Sequence, residues 1–143
     1  MSNLNKINIS AKKEYVERAV DSIVEFIISN NGDFKIANKI QIALEETLVN
    51  VVLYAYEDKI GDIEIDYEII DEPNKTLIVT IIDSGIEFDP LAKEDPNIVS
   101  FYEQKKIGGL GIFITKQIMD EVSYQRKDNK NILVLKKALV SAK

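Results

Sequence analysis

The chain has no cysteine and no histidine, and only three prolines and six glycines among 143 residues. Without cysteine there is no disulfide framework, no thiolate nucleophile and no thiolate metal site. Without histidine, imidazole acid–base chemistry, imidazole–zinc ligation and phosphorylation on a histidine of the chain itself are excluded. Any general base must therefore be a carboxylate, a lysine or a tyrosine. Long apolar runs are missing too: stretches such as Thr76–Ile82 fall far short of the ~20 residues that a membrane helix needs. No signal-like apolar core stands at the N-terminus, so a cytoplasmic protein with no membrane partner is expected. The formal charge of −6 comes from 24 acids and 18 bases mixed along the chain, which disfavours a broad nucleic-acid surface.

What is present fits one ordinary domain, residues 1–143, with 45% hydrophobic and 29% charged residues. Alternation at Ile7 and Ile9 predicts a short edge strand over Leu4–Ser10, with Ser10 as N-cap of a first helix. Tyr15, Ala19, Ile23, Phe26 and Ile27 recur at helical spacing, and Asn30-Asn31-Gly32 should end that helix with Gly32 in a left-handed cap. A second helix is expected from Phe34 or Lys35 to about Tyr56. Its apolar face includes Ile36, Ile40, Leu44, Leu48 and Val52, with Asn38, Gln41 and Glu45 nearer to water. The period then changes to two: Ile63, Ile65, Tyr67 and Ile69 face one way and their acidic neighbours the other, and Thr76–Ile82 returns as the partner strand.

Residues 86–107 carry two prolines and no sustained period, which reads as a long functional loop. A third helix should begin near Leu110 and reach Met119 or Asp120. Strands Glu121–Arg126 and Asn131–Ala138 follow around the turn Lys127-Asp128-Asn129-Lys130. The expected fold class is α+β, a two-layer sandwich with helices on one face of a mixed, mostly antiparallel sheet.

Three local patterns carry chemistry. Glu46 and Asn50 lie one helical turn apart at the margin of the apolar face. A carboxylate there can take a proton from a hydroxyl, and a carboxamide oxygen is a neutral ligand for Mg²⁺; ordinary helix-surface polarity is the alternative for this pair alone. Asp83-Ser84-Gly85 closes an apolar strand, where an aspartate can accept from an exocyclic amine while Gly85 lets a flat ring approach the backbone; a plain turn would look the same. Gly108-Gly109-Leu110-Gly111 puts three glycines where a helix begins, which suits an anion site of bare backbone amides, or a tight hinge. It is neither a Walker loop nor a dinucleotide fingerprint.

Taken in order, these three boxes resemble the Bergerat-fold ATPases, which include gyrase, chaperone and mismatch-repair ATPases and sensor histidine kinases. Length and motif style are most similar to the anti-sigma-factor serine/threonine kinases of that superfamily, over about Ile7 to Lys137. The helical box falls on Glu46 and Asn50, the adenine box on Asp83 and Gly85, a trailing Phe-Asp-Pro on Phe88-Asp89-Pro90, and the phosphate box on Gly108, Gly109, Leu110 and Gly111. The chain departs at Glu87, where many relatives carry a second glycine, and at Tyr54, where many carry a histidine.

The resemblance implies ATP with Mg²⁺ as cofactors, Asp83 on the adenine amine, Asn50 on the metal, and residues 86–107 as an ATP lid. Glu46 is implied as the catalytic base, and Lys105 and Lys106 are candidates for the phosphates or simply a solvated charge pair. The implied partners are a sigma factor, a small anti-sigma antagonist of STAS type, and a second copy of the chain. The alternative is a non-catalytic ATP-binding module that sequesters a protein. A sensor histidine kinase core is disfavoured, since neither an acceptor histidine nor a dimerisation helix pair is present.

Overall fold

The computed structural model describes residues 4–57, 59–71, 74–92 and 109–140, the last helix's residues 109–112 by their backbone only. In chain order these form β1 (Asn5–Ser10), α1 (Lys13–Ser29), α2 (Phe34–Asn50), a π-helical turn (Val51–Ala55), β2 (Asp62–Ile70), β3 (Thr76–Asp83), a 3-10 turn (Pro90–Ala92), α3 (Gly109–Ile118), β4 (Glu121–Lys127) and β5 (Lys130–Ala138). The five strands make one sheet in the order β1-β2-β3-β5-β4. Every pairing among the described residues is antiparallel, so no parallel pair accompanies the expected mixed sheet.

Period-two alternation sends Ile63, Ile65 and Tyr67 of β2, Leu77, Val79 and Ile81 of β3, and Leu133 and Leu135 of β5 into the core. The helices answer with Val16, Ile23 and Ile27 from α1 and Ile40, Leu44 and Leu48 from α2, all of them buried. Burying side chains of this size stabilises by roughly 1.5–3 kcal/mol each. Phe26 meets Tyr67 edge-on at 5.1 Å, fixing α1 over β2. The opposite face of the sheet carries Ile78, Ile82, Ile132 and Val134, half-buried rather than buried.

Several local expectations are corrected. Ser10 does not cap α1: it stays in the β1 ladder opposite Asp62. Lys12 occupies the cap position with no side-chain cap bond. The left-handed residue after α1 is Asn31, with φ 63°, rather than Gly32. Gly32 serves by lacking a side chain, since a Cβ there would lie 2.5 Å from Ile27 Cγ2. Its N–H donates to the Ile27 carbonyl while that of Asn31 donates to Ile28, the pair of bonds that closes a Schellman cap. The α-helical part of the second helix stops at Asn50 and widens into the π turn, marked by the Tyr56 N–H donating to Val51 O at 3.2 Å. β1 does have a partner, β2, with Ile7 opposite Ile65. Asp128 and Asn129 both have positive φ, 53° and 62°, as a two-residue type I′ hairpin requires.

On the face without helices, Asp66 Oδ1 is buried and has no hydrogen bond. Burial first, then a hydrogen bond and repulsion from Glu64, pushes its carboxyl above the usual range, against a weaker pull from Lys6. Folding therefore penalises the charged form, a cost absent at low pH that grows as pH rises from the ordinary aspartate range and is complete above the raised folded-state value. The Lys6 partner is 3.9 Å away and 60% exposed, too solvated to offset it. Asp66→Asn is expected to raise the melting temperature by about 2–5 °C at pH 7–8, with the gain shrinking toward pH 4. Thermal scans across that range check it, and a gain independent of pH would refute the ionisation argument.

Candidate functional site

The ends of α2, β3 and β5 meet around a small cavity lined by Thr47, Asn50, Val51, Ile81, Asp83, Phe88, Pro90, Tyr124, Asn131 and Leu133. Its apolar wall comes from residues that also belong to the core or to the turn after β3. Its polar groups come from three separate parts of the chain.

Asn50 is the last α-helical residue of α2 and is only 5% exposed, yet its side chain makes no hydrogen bond among the described residues. The amide stands on the cavity wall with its donors and acceptor unused, which suits it to hold a ligand there. One turn earlier, Thr47 is buried and bonds to Ala43 O at 2.7 Å and to the Thr115 hydroxyl of α3 at 3.1 Å. That pair registers α3 against α2.

Asp83 ends β3 at 3% exposure. Its Oδ1 accepts from the Gly85 N–H at 2.9 Å and from Asn131 Nδ2 at 2.8 Å, while Oδ2 has no bond among the described residues. Burial pushes the carboxyl above its ordinary value, opposed by the Asn131 and Gly85 hydrogen bonds and by the Arg126 charge.

The Asp83-Ser84-Gly85 turn is strapped from three sides. Ile86 N–H donates to Ala55 O at 2.8 Å, Ser84 N–H donates to the Tyr56 hydroxyl at 2.8 Å, and Arg126 Nη1 donates to Gly85 O at 2.9 Å. Gly85 is required here because a Cβ would lie 2.3 Å from Ala55 O. Tyr54 packs on Phe88 with ring centres 5.5 Å apart, so the aromatic residue of the π turn backs the cavity's aromatic wall.

The structure thus brings Asn50 and Asp83 to one cavity and sets Gly85 in the turn beside it. Glu46 lies on the exposed side of α2, one turn before Asn50 and outside the lining. Gly109, Leu110 and Gly111 open α3. Lys105, Lys106, Gly108 and most of the expected lid lie outside the described residues. Thr47, Tyr124 and Asn131 are cavity residues that sequence reasoning did not single out. Asn131 adjoins a turn-forming run and looks like part of it, and only the β3–β5 register sets it opposite Asp83. Among the described residues no cluster of three or more His, Cys, Asp or Glu stands ready to hold a metal. A Mg²⁺ ion fits such a site when it leans on one protein oxygen and on phosphate oxygens.

An open antiparallel sheet under helices, with an unpartnered amide and a strapped aspartate at one cavity, defines a class of protein. Residues 9–137 match the family described as the histidine kinase-like ATPase domain, and the chain belongs to that family. Within it, the chain is similar to proteins named Serine-protein kinase RsbW. The one from Staphylococcus aureus (strain bovine RF122 / ET3-1) is 29% identical, covering 90% of this chain and 89% of its own. Those of Bacillus cereus (strain AH187) and Listeria innocua serovar 6a are 26% and 24% identical, covering 92% and 91% of this chain and 82% and 84% of theirs. No helix among the described residues is long and apolar enough to cross a membrane.

Proposed function

We propose that this chain is an ATP-dependent serine/threonine protein kinase that acts as an anti-sigma factor. It holds a sigma factor and phosphorylates a small anti-sigma antagonist of STAS type, in the cytoplasm. The observation that carries the reading is the unpartnered side-chain amide of Asn50 on the same cavity as the free Oδ2 of Asp83. Likeness to serine-protein kinases over about nine-tenths of the chain supports the choice of acceptor.

In this reading Asp83 Oδ2 accepts from the 6-amino group of adenine, and Phe88 and the apolar wall cover the ring. Asn50 would hold Mg²⁺, which supplies charge neutralisation on the phosphates when bound. Backbone amides at Gly109, Leu110 and Gly111, at the positive end of α3, suit the phosphates, with Gly108, Lys105 and Lys106 as further candidates. Glu46 takes the proton from the acceptor hydroxyl as its oxygen bonds to the γ-phosphorus. The bond from the bridging oxygen to that phosphorus breaks, and ADP leaves.

One observation favours a second reading, a non-catalytic module in which ATP only supports capture of a protein partner: Glu46 is exposed rather than turned into the cavity. Incubation with γ-labelled ATP and small proteins encoded beside this chain separates the two. Label on a serine or threonine of a partner is expected, and tight ATP binding with no labelled partner would favour the silent module.

We also infer a homodimer. The outer edge of β1 is unpaired among the described residues, and the half-exposed Ile78, Ile82, Ile132 and Val134 of β3 and β5 offer an apolar patch on the sheet face away from the helices. Sedimentation at micromolar concentration should give twice the 16.2 kDa of one chain; a monomer alone would dispose of this inference and leave the nucleotide site untouched.

A further inference from the structure

Asp83 and Asn131 stand directly opposite each other in the β3–β5 ladder. Asn131 is 4% exposed, and its side chain makes four hydrogen bonds. Nδ2 donates to Asp83 Oδ1 at 2.8 Å and to Ile86 O at 2.8 Å. Oδ1 accepts from the Tyr124 hydroxyl at 2.6 Å and from the Phe88 N–H at 3.1 Å. The amide can sit only this way round, because a backbone N–H only donates and a backbone carbonyl only accepts. Two donors and two acceptor sites are all that a carboxamide has, so Asn131 has nothing left to offer a ligand. Whatever it does for binding it does through Asp83.

We propose that Asn131 is the positioning residue that makes this cavity select adenine. Its amide holds Asp83 Oδ1 inside the protein together with the Gly85 N–H, so the carboxylate cannot turn without breaking two bonds. Oδ2 is thereby left as a bare acceptor. A 6-amino group meets it as a donor, whereas a 6-carbonyl group meets it as a second oxygen and is repelled. The same amide anchors Ile86 and Phe88, so the acceptor and the aromatic wall are referenced to one side chain. Two other residues of similar size fail for physical reasons. Aspartate would set two carboxylates against each other, and leucine would release Asp83 while leaving Ile86 O and Phe88 N unpaired. This inference rests on the reading of Asp83 as the adenine acceptor.

The test is calorimetric titration of the full chain with ADP and with inosine diphosphate, which carries a carbonyl in place of the 6-amine. The wild type is expected to prefer ADP by about tenfold or more, the value of one hydrogen bond to a charged group. Asn131→Thr and Asn131→Val are nearly isosteric, and both suit a strand. Only threonine keeps a donor for Asp83 Oδ1. Thr should keep the ADP preference within about threefold, while Val should lose most of it through weaker ADP binding with inosine diphosphate little changed. Tyr124→Phe removes one bond to Asn131 and keeps the clamp on Asp83, so it should narrow the preference by only about two- to fivefold.

Parallel weakening of both nucleotides, or equal preference in the Thr and Val variants, would reduce Asn131 to a purely structural residue and overturn the proposal. A wild type that binds neither nucleotide overturns the nucleotide reading as well. Selective binding that persists in the Val variant overturns this inference alone.

Discussion

Replacing Glu46 with glutamine should leave nucleotide binding nearly intact while lowering phosphoryl transfer by about 10²–10⁴-fold, the range for losing a general base. Glutamine keeps the length and shape of the side chain and removes only its ability to take a proton. The near-constant affinity follows from position, since Glu46 is exposed and does not line the cavity that holds Asn50 and Asp83. The large effect on rate follows from composition. With no histidine or cysteine anywhere in the chain, only another carboxylate, a lysine or a tyrosine could substitute, and neither Lys nor Tyr shares that face of α2 one turn from Asn50. Single-turnover transfer from labelled ATP to the partner, with affinity measured in parallel, checks both halves. Unchanged transfer would remove Glu46 from the chemistry, and a large loss of affinity would make it a binding residue instead.

Asp83→Asn should weaken ADP binding by roughly 1.5–3 kcal/mol, about ten- to 150-fold. The replaced group already sits in an ordered frame, with Gly85 N–H and Asn131 Nδ2 holding one oxygen. The variant amide keeps an oxygen for those two donors and points its NH₂ into the cavity, where it faces the adenine amine donor to donor. A carbonyl-bearing base should suffer less. Acidification offers an independent readout, because burial holds the Asp83 carboxyl above its ordinary value despite its hydrogen bonds. Binding that depends on the carboxylate is lost as pH falls through that raised value, earlier than an ordinary aspartate would lose it. The variant, having nothing to titrate there, should show a flatter profile. Normal ADP affinity in the variant would mean that adenine is recognised elsewhere.

Much of the fold was legible because its signals are local. Alternation at Ile63, Ile65 and Tyr67, the helical spacing of Ile40, Leu44 and Leu48, and the glycines opening α3 each depend on a few neighbouring residues. The cap of α1 was misplaced at Ser10 because the pairing of Ser10 with Asp62 comes from a strand more than 50 residues away in sequence. The left-handed position went to Gly32 on general preference, whereas Asn31 takes it and Gly32 is held by contact with Ile27. In the site, Asn50 and Asp83 stood out because they belong to ordered boxes. Asn131 did not, since its four bonds reach Asp83, Ile86, Phe88 and Tyr124 and none of them is sequential. The change from α to π winding was hidden as well. Val51-Val52-Leu53-Tyr54-Ala55 continues an apolar pattern that either helix accepts.

That π turn sets a rule about winding rather than about side chains. One residue more per turn than an α-helix leaves the Ala55 carbonyl aimed at Ile86 N–H, and puts Tyr56 where its hydroxyl meets Ser84. Rewinding residues 51–55 as α-helix, with none of them removed, would swing everything after them by about 100°. Both straps on the Asp83 turn would then point into empty space, although no residue of the cavity's chemistry had been replaced. The segment can therefore accept many exchanges of one apolar residue for another, provided that they leave its wider winding in place.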